Sequence, residues 1–299
     1  MRRFFLLLTL IVLVAPVRGQ SLRISSTYHD GRRGIEVHRA GSVVTTPDDR
    51  HLVRIAPGGY LHVEETIGGR SRRFEATPGP DGRPTLRYFE NGRPRGLDAE
   101  AQRWIETMIE GAVLDSGIGA DARMAELLRD EGVDGALAGA ARYRTDGARS
   151  EALGALLVQL EERPGEAARV VRASPRLLTS DGDRASFLTH ALRAVGLGTQ
   201  AMRTAYFDAA GGLGSDGDWA RVLVAALHDE GRSADVVLRV IRSLGARDRS
   251  DGDETRVLLA VPESMLGRSE VSRAYLSALR TVHSDGDKAR ALSRSALLR

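Results

Sequence analysis

The tetrapeptide Ser-Asp-Gly-Asp occurs four times, at Ser180–Asp183, Ser215–Asp218, Ser250–Asp253 and Ser284–Asp287, with spacings of 35, 35 and 34 residues. A weaker copy, Thr145-Asp146-Gly147-Ala148, stands 35 residues upstream of the first. A fixed period of this length marks a repeat array, in which each unit is a supersecondary hairpin and neighbouring units bury a shared core. The period therefore constrains the C-terminal two thirds of the chain before any single residue is considered. It does not point to a reaction.

Each motif opens a helix. The fourth and fifth positions after its last residue are Ala152/Leu153, Phe187/Leu188, Val222/Leu223, Val257/Leu258 and Ala291/Leu292. A second helix follows a short turn, and its apolar positions Tyr206, Ile241 and Tyr275 recur with the same period. Pro164-Gly165, Gly196-Leu197-Gly198, Glu230-Gly231 and Pro262 mark the turns. Thr199, Ser233 and Ser269 are placed to cap the second helices. Residues 115–299 are expected to form an α-solenoid of helical hairpins of the HEAT or tetratricopeptide kind. Ile118–Tyr143 reads as a degenerate first repeat, and Asp285–Leu297 as a closing half-repeat.

Residues 20–97 carry a different pattern. Short β-branched and aromatic runs (Leu22–Tyr28, Gly34–His38, Arg50–Ile55, Tyr60–Ile67, Ser71–Ala76, Thr85–Glu90) alternate with Asp-Gly, Gly-Gly and Asn-Gly turn pairs. They predict an antiparallel meander of five to seven strands. In Tyr60–Ile67 the period of two puts Leu61, Val63 and Glu65 on one face and Tyr60, His62, Glu64 and Thr66 on the other. Residues 98–114 then switch to helical spacing, with Asp98 as N-cap and Ala101, Trp104, Ile105, Met108, Ile109 and Ala112 on one face. The expected class is α+β multidomain: a small β-meander followed by a helical repeat stack.

The N-terminus has the pattern of a secretory signal peptide: Arg2 and Arg3, an apolar run from Phe4 to Ala15, then Pro16-Val17-Arg18-Gly19 ahead of Gln20. Residues 1–19 are expected to be removed on export. The run is too short for the roughly 20 residues that span a bilayer, so no stable membrane insertion is expected after cleavage. The chain has no cysteine, which closes the routes to a lipid anchor and to disulfides. Of 43 basic residues, Arg2, Arg3 and Arg18 lie in the leader, so the remaining 40 balance the 40 acids. There is one lysine, Lys288. Arginine can signal nucleic-acid recognition, but here it is interspersed with equal numbers of acids, as in Ala-, Arg- and Gly-rich chains from high-GC bacterial genomes. Nucleic acid is not an expected partner.

The motif itself reads as a helix-start device. Ser180, Ser215, Ser250 and Ser284 are preferred N-cap residues, and Asp183, Asp218, Asp253 and Asp287 stand where a capping box places its acid, although glutamate is usual there. Two aspartates in the first turn also favour the positive end of the helix dipole. The alternative is calcium, with Asp181, Asp183, Asp216, Asp218, Asp251, Asp253, Asp285 and Asp287 as candidate ligands. Against it, an EF-hand alternates more acids and ends on a glutamate at its twelfth position, which this motif lacks. No catalytic or cofactor-binding residue and no cofactor is expected. His29, His38, His51 and His62 fit no zinc spacing. There is no metallopeptidase, nucleophile-elbow or P-loop motif. Glu64 and Glu65 point to opposite faces, and Trp104 and Trp219 sit at core spacing.

Two stretches carry a resemblance. One runs from Ala56-Pro57-Gly58-Gly59-Tyr60-Leu61-His62-Val63-Glu64-Glu65 through Arg87-Tyr88-Phe89-Glu90-Asn91-Gly92 to Trp104. The other is the recurring motif followed by Arg-Val-Leu, as in Asp218–Leu223 and Asp253–Leu258. Together they resemble an uncharacterised bacterial envelope family, and are similar to C-terminal extracytoplasmic regions of some β-lactam-sensor-type membrane metallopeptidases. The resemblance implies an extracytoplasmic β-plus-repeat module. It transfers no protease activity, because the zinc motif and membrane helices of those peptidases are absent from this sequence. The expected function is an exported, non-catalytic scaffold that binds another envelope protein. The alternatives are a sensor or regulatory module beside a separate membrane metallopeptidase, or a secreted hydrolase with an unrecognised site.

Overall fold

The computed structural model describes residues 23–30, 33–46, 48–246 and 249–294. The expected leader, residues 1–19, lies outside them. The chain is an α+β protein, an antiparallel sheet followed by consecutively packed helices. It divides into two compact units. The first runs through Glu126 and takes in Arg142–Ala148; the second comprises Leu127–Ala141 and the chain from Arg149 on.

The strands are β1 (Arg23–Asp30), β2 (Arg33–Ala40), β3 (Val43–Thr45), β4 (Leu52–Ile55), β5 (Tyr60–Ile67), β6 (Arg70–Pro78), β7 (Pro84–Glu90) and β8 (Arg93–Arg95). Six of them form a meander in the order β1-β2-β5-β6-β7-β8, while β3 and β4 make a separate ribbon between β2 and β5. The two three-residue strands, β3 and β8, are too short to show an alternation in the sequence. Left-handed backbone at Gly68-Gly69 (φ 56° and 83°) and Asn91-Gly92 (φ 48° and 76°) makes the primed turns that suit the twist of adjacent strands.

Cross-strand register aligns Val37, Val63, Phe74 and Tyr88 in one inward row. Against this face lies helix α1 (Ala99–Ser116), capped by Asp98, whose carboxylate accepts the Glu100 and Ala101 N–H groups. All six apolar positions expected on its inner face are buried. The Trp104 ring meets Phe74 edge-on at 6.1 Å and Tyr88 at 5.6 Å. Burying side chains of this size stabilises by about 1.5–3 kcal/mol each, which is enough to give a sheet with one solvated face a core of its own.

The remaining helices are α2 (Ala120–Ala141, kinked at Gly132), α3 (Asp146–Gln159), α4 (Pro164–Leu177), α5 (Asp181–Val195), α6 (Gln200–Gly211), α7 (Asp216–Glu230), α8 (Ala234–Ser243), α9 (Asp251–Ala260), α10 (Glu263–Leu266), α11 (Ser269–Ala278) and α12 (Asp285–Leu292). The motif helices stack in one layer, α5 on α7 on α9 on α12. The second helices stack in another, α4 on α6 on α8 on α11. Phe187/Leu188, Val222/Leu223 and Val257/Leu258 are buried between them. Their counterpart Leu292 is exposed, because no helix follows α12 among the described residues.

Two expectations need correction. Ser269 does not cap the second helix of its repeat: the N-cap is Arg268, without a side-chain bond. The reason is the one-turn helix α10, which starts straight after Pro262 and uses up the linker, so the chain enters α11 from a preceding turn. The closing helix ends at Leu292 rather than Leu297.

The recurring second-helix positions Tyr206, Ile241 and Tyr275 are all buried. The Tyr206 hydroxyl donates to the Val222 carbonyl at 3.0 Å, and Tyr275 to the Ala291 carbonyl at 3.1 Å, each sixteen residues on and in the next motif helix. Tyr206→Phe should therefore lower stability by about 1 kcal/mol, the net worth of one hydrogen bond, without changing packing. Chemical denaturation with an unchanged m-value checks this.

Candidate functional site: the inter-repeat carboxylate ladder

The motif's serine acts as expected in three of four copies. Ser180, Ser215 and Ser284 accept the backbone N–H of Asp183, Asp218 and Asp287. Thr145 accepts that of Ala148 in the weaker copy. Ser250 occupies the N-cap position but makes no side-chain cap. There the Asp253 N–H turns to the Ser250 carbonyl at 3.0 Å instead.

The capping box does not close in the expected way. An N-cap N–H has no acceptor inside its helix, and the third-position aspartate is a methylene shorter than the usual glutamate. The acceptor comes from the preceding repeat. The Asp181 carboxylate takes the N–H groups of Gly214 and Ser215 at 2.9 and 2.8 Å. Asp216 takes the Ser250 N–H at 3.0 Å and the Arg249 guanidinium at 2.8 Å. Asp251 takes the N–H groups of His283 and Ser284 at 3.0 and 2.7 Å. The first aspartate of each motif thus holds the start of the next, and the three links form a ladder along the motif-helix layer.

Two of the second aspartates pair within their own helices. Asp218 pairs with Arg221 at 2.8 Å, and Asp287 pairs with Arg290. Backbone N–H donation from His283 and Ser284 holds Asp251 below the ordinary carboxylate range, and the Arg290 guanidinium with the Ser284 hydroxyl does so for Asp287. The acids that suggested calcium are in large part committed to N–H and guanidinium donors. Among the described residues no group of three or more His, Cys, Asp or Glu is placed to hold a metal ion. Asp285, the first-position acid of the fourth motif, is exposed and makes no ladder bond among the described residues.

Other polar residues support the ladder and were not evident from the motif. Arg249 lies over the Trp219 ring at 4.5 Å while it grips Asp216, so Trp219 is more than packing. The buried Glu254 accepts the Gly245 N–H at 2.8 Å and the Thr281 hydroxyl at 3.0 Å. Glu230 accepts the Leu197 N–H of the repeat before it at 3.0 Å. The one sequence signal for Glu254 is its place beside the buried stripe of α9.

In the β unit, Glu65 is the buried acid of the inward face of β5. It accepts the Trp104 indole N–H at 2.7 Å and pairs with Arg33 at 2.7 Å. An acid at a core-facing strand position has to find donors, and the tryptophan on the facing helix is one. Glu64 points the other way, as expected. His38 and His62 are direct cross-strand partners on the outer face, and His62 in turn faces Glu75. Partial burial moves the His62 pKa down, with Glu75 opposing. His51 lies 4.0 Å from Glu106, and the His29 side chain falls outside what the structure describes.

Comparisons with protein-family models, with curated proteins and with solved structures return no match to this chain. The reading of the site rests on its own geometry.

Asp181→Ala should cost roughly 1–3 kcal/mol, because it strands two backbone donors at a repeat junction. Asp285→Ala should cost less than about 1 kcal/mol, the helix-dipole contribution alone. Thermal melting of the two variants checks the order. A second expectation concerns acid. The depressed pKa of Asp251 means that its stabilising contribution is complete above about pH 4, the unfolded value, and is lost as pH falls through the folded value. Asp251→Asn should therefore flatten the acid limb of a melting-temperature profile while leaving the limb above neutrality unchanged.

Proposed function

We propose that this chain is an exported, non-catalytic scaffold of the bacterial cell envelope whose helical repeat stack holds another protein. The observation that carries this reading is the ladder. Each motif start is tied to the next by carboxylate–backbone bonds at equivalent positions, so side chains one period apart stand in fixed register along a continuous surface. Surfaces of that kind suit extended protein–protein contact. Export rests on the Arg2–Gly19 pattern. Among the described residues no helix is long and apolar enough to cross a membrane.

The test is photo-crosslinking in the native host, with the crosslinking residue placed in turn at exposed positions of both helix layers. The expected result is a mature chain beginning near Gln20 in the envelope fraction and a discrete protein adduct from at least one layer. The adduct should be lost when Asp181 and Asp216 are both changed to Ala. A full-length chain in the cytoplasm, or no discrete adduct from any position, overturns the reading.

A further inference from the structure

The 35-residue period aligns equivalent outward positions across α4, α6, α8 and α11. On α4 they are Arg169, Arg172 and Arg176; one period on, they are Thr204, Phe207 and Gly211. The next period has Arg239, Arg242 and Ala246, and the last, one residue shorter, has Arg273, Leu276 and Arg280. Seven of these twelve positions are arginine and none is acidic. All of the arginines are exposed except Arg239, which is half-buried. The same helices also carry the exposed acids Asp208, Asp235 and Glu270, and Arg239 lies 3.6 Å from Asp235, so the layer has an excess of arginine over acid.

Some of these arginines already hold carboxylates from neighbouring helices. Arg169 pairs with Asp134 at 2.6 Å, and Arg242 with Glu270 at 3.2 Å. Both pairs are solvent-exposed, a setting in which an ion pair contributes little and exchanges readily. Arg172, Arg176 and Arg280 have no carboxylate partner among the described residues. Clustering like charges on one face costs self-repulsion that an anionic partner would relieve.

The face is not uniformly charged. Between α8 and α11 a groove of about 460 Å³ is lined by Arg242, Glu270, Arg273, Ile241, Ala278 and Thr281. Leu276 stands exposed beside it. A recess with mixed polar and apolar lining, carrying two guanidinium groups against the single Glu270 carboxylate, suits an aliphatic side chain next to a carboxylate. A polynucleotide or a lipid headgroup plane offers no such pair. Neighbouring packed helices lie about 8–10 Å apart, and one three-residue turn of polyproline II spans about 9 Å and returns every third side chain to the same side. An acidic residue at every third position of an extended segment would thus meet successive helices.

We propose that the outer face of the second-helix layer is a docking surface for an extended acidic peptide segment of a protein partner. Arginines of α4, α8 and α11 would bind its carboxylates, and the α8–α11 groove would take an aliphatic side chain. This deepens the scaffold reading and rests on it. Arginine is suited to the role because its planar fork takes carboxylates bidentately.

The probe is a fluorescent twelve-residue peptide of four Glu-Ser-Leu units, titrated into the mature chain at low and at physiological salt. Binding should weaken as salt rises. The triple variant Arg172→Glu/Arg242→Glu/Arg273→Glu should lose at least tenfold in affinity. Arg193→Glu/Arg221→Glu/Arg256→Glu, an equal charge change on the motif-helix layer, should lose less than threefold. Circular dichroism should show both variants folded, and if the first is not, Arg172→Ser/Arg273→Ser replaces it with the same expectation. A peptide carrying Lys for Glu should not bind. No binding of the acidic peptide, an equal loss in both variants, or tighter binding of a twelve-nucleotide single strand or of phosphatidylglycerol vesicles overturns the proposal. If the proposal fails while cellular crosslinks form through the motif-helix layer, the scaffold reading survives with a different face. Absence of crosslinks from either layer overturns the scaffold reading whatever the peptide does.

Discussion

The bond from the first aspartate of one motif to the backbone N–H groups that start the next is the constraint around which the repeat region is built. A helix start presents donors that its own turns cannot satisfy. In a stack, those donors sit at a junction between units, where leaving them unpaired would cost about as much as the contact gains. Placing the acceptor in the preceding unit solves both problems with one carboxylate: the donors are paired, and the position of each hairpin relative to the last is set. The last full period shows how firmly this is held. It is one residue shorter and carries the extra turn α10, yet Asp251 still reaches both His283 and Ser284. Loop and second helix absorb the change; the junction does not.

The apolar core follows the same periodicity but specifies less. Phe187, Val222 and Val257 would tolerate small sliding of one hairpin on another, since dispersion contacts are individually small and non-directional. Directional bonds remove that freedom. The tyrosine hydroxyls of Tyr206 and Tyr275, the Arg249 guanidinium over Trp219 and the Glu230 carboxylate on Leu197 each add a polar link across a repeat boundary. A surface held in register in this way can present a spatial pattern to a partner, and a loosely packed one cannot.

The β unit uses the same rule on a different scaffold. Glu65 occupies a core-facing position that alternation would normally give to an aliphatic residue, and it is stabilised there by donors from α1 and β2. It couples the sheet to Trp104 by a hydrogen bond with a fixed direction, where ring packing alone would leave the helix free to shift. On the opposite face, Phe89 is covered by the guanidinium groups of Arg73 and Arg87 at 4.5 and 5.2 Å. That arrangement lets an aromatic residue sit on the solvated side of a sheet.

The sequence by itself determined the α+β class, the motif-led helix starts, the inner face of α1 and the alternation of β5, because each of these follows from local periodicity and from capping chemistry confined to a few residues. It also placed Thr199 and Ser233 as caps, and the structure has both. What it did not determine was the partner of any polar group across a repeat boundary. Asp181 and Ser215 are 34 residues apart, and nothing in either segment says that one carboxylate serves the other's N–H. The capping box was a local account of acids whose first members act at a distance. The failure of Ser250 to cap depends on backbone angles that composition does not encode. Charge shows the same division. A count along the chain finds balance, while the rows of arginine on the second-helix layer exist only after the hairpins fold, because they depend on which helical positions turn outward together.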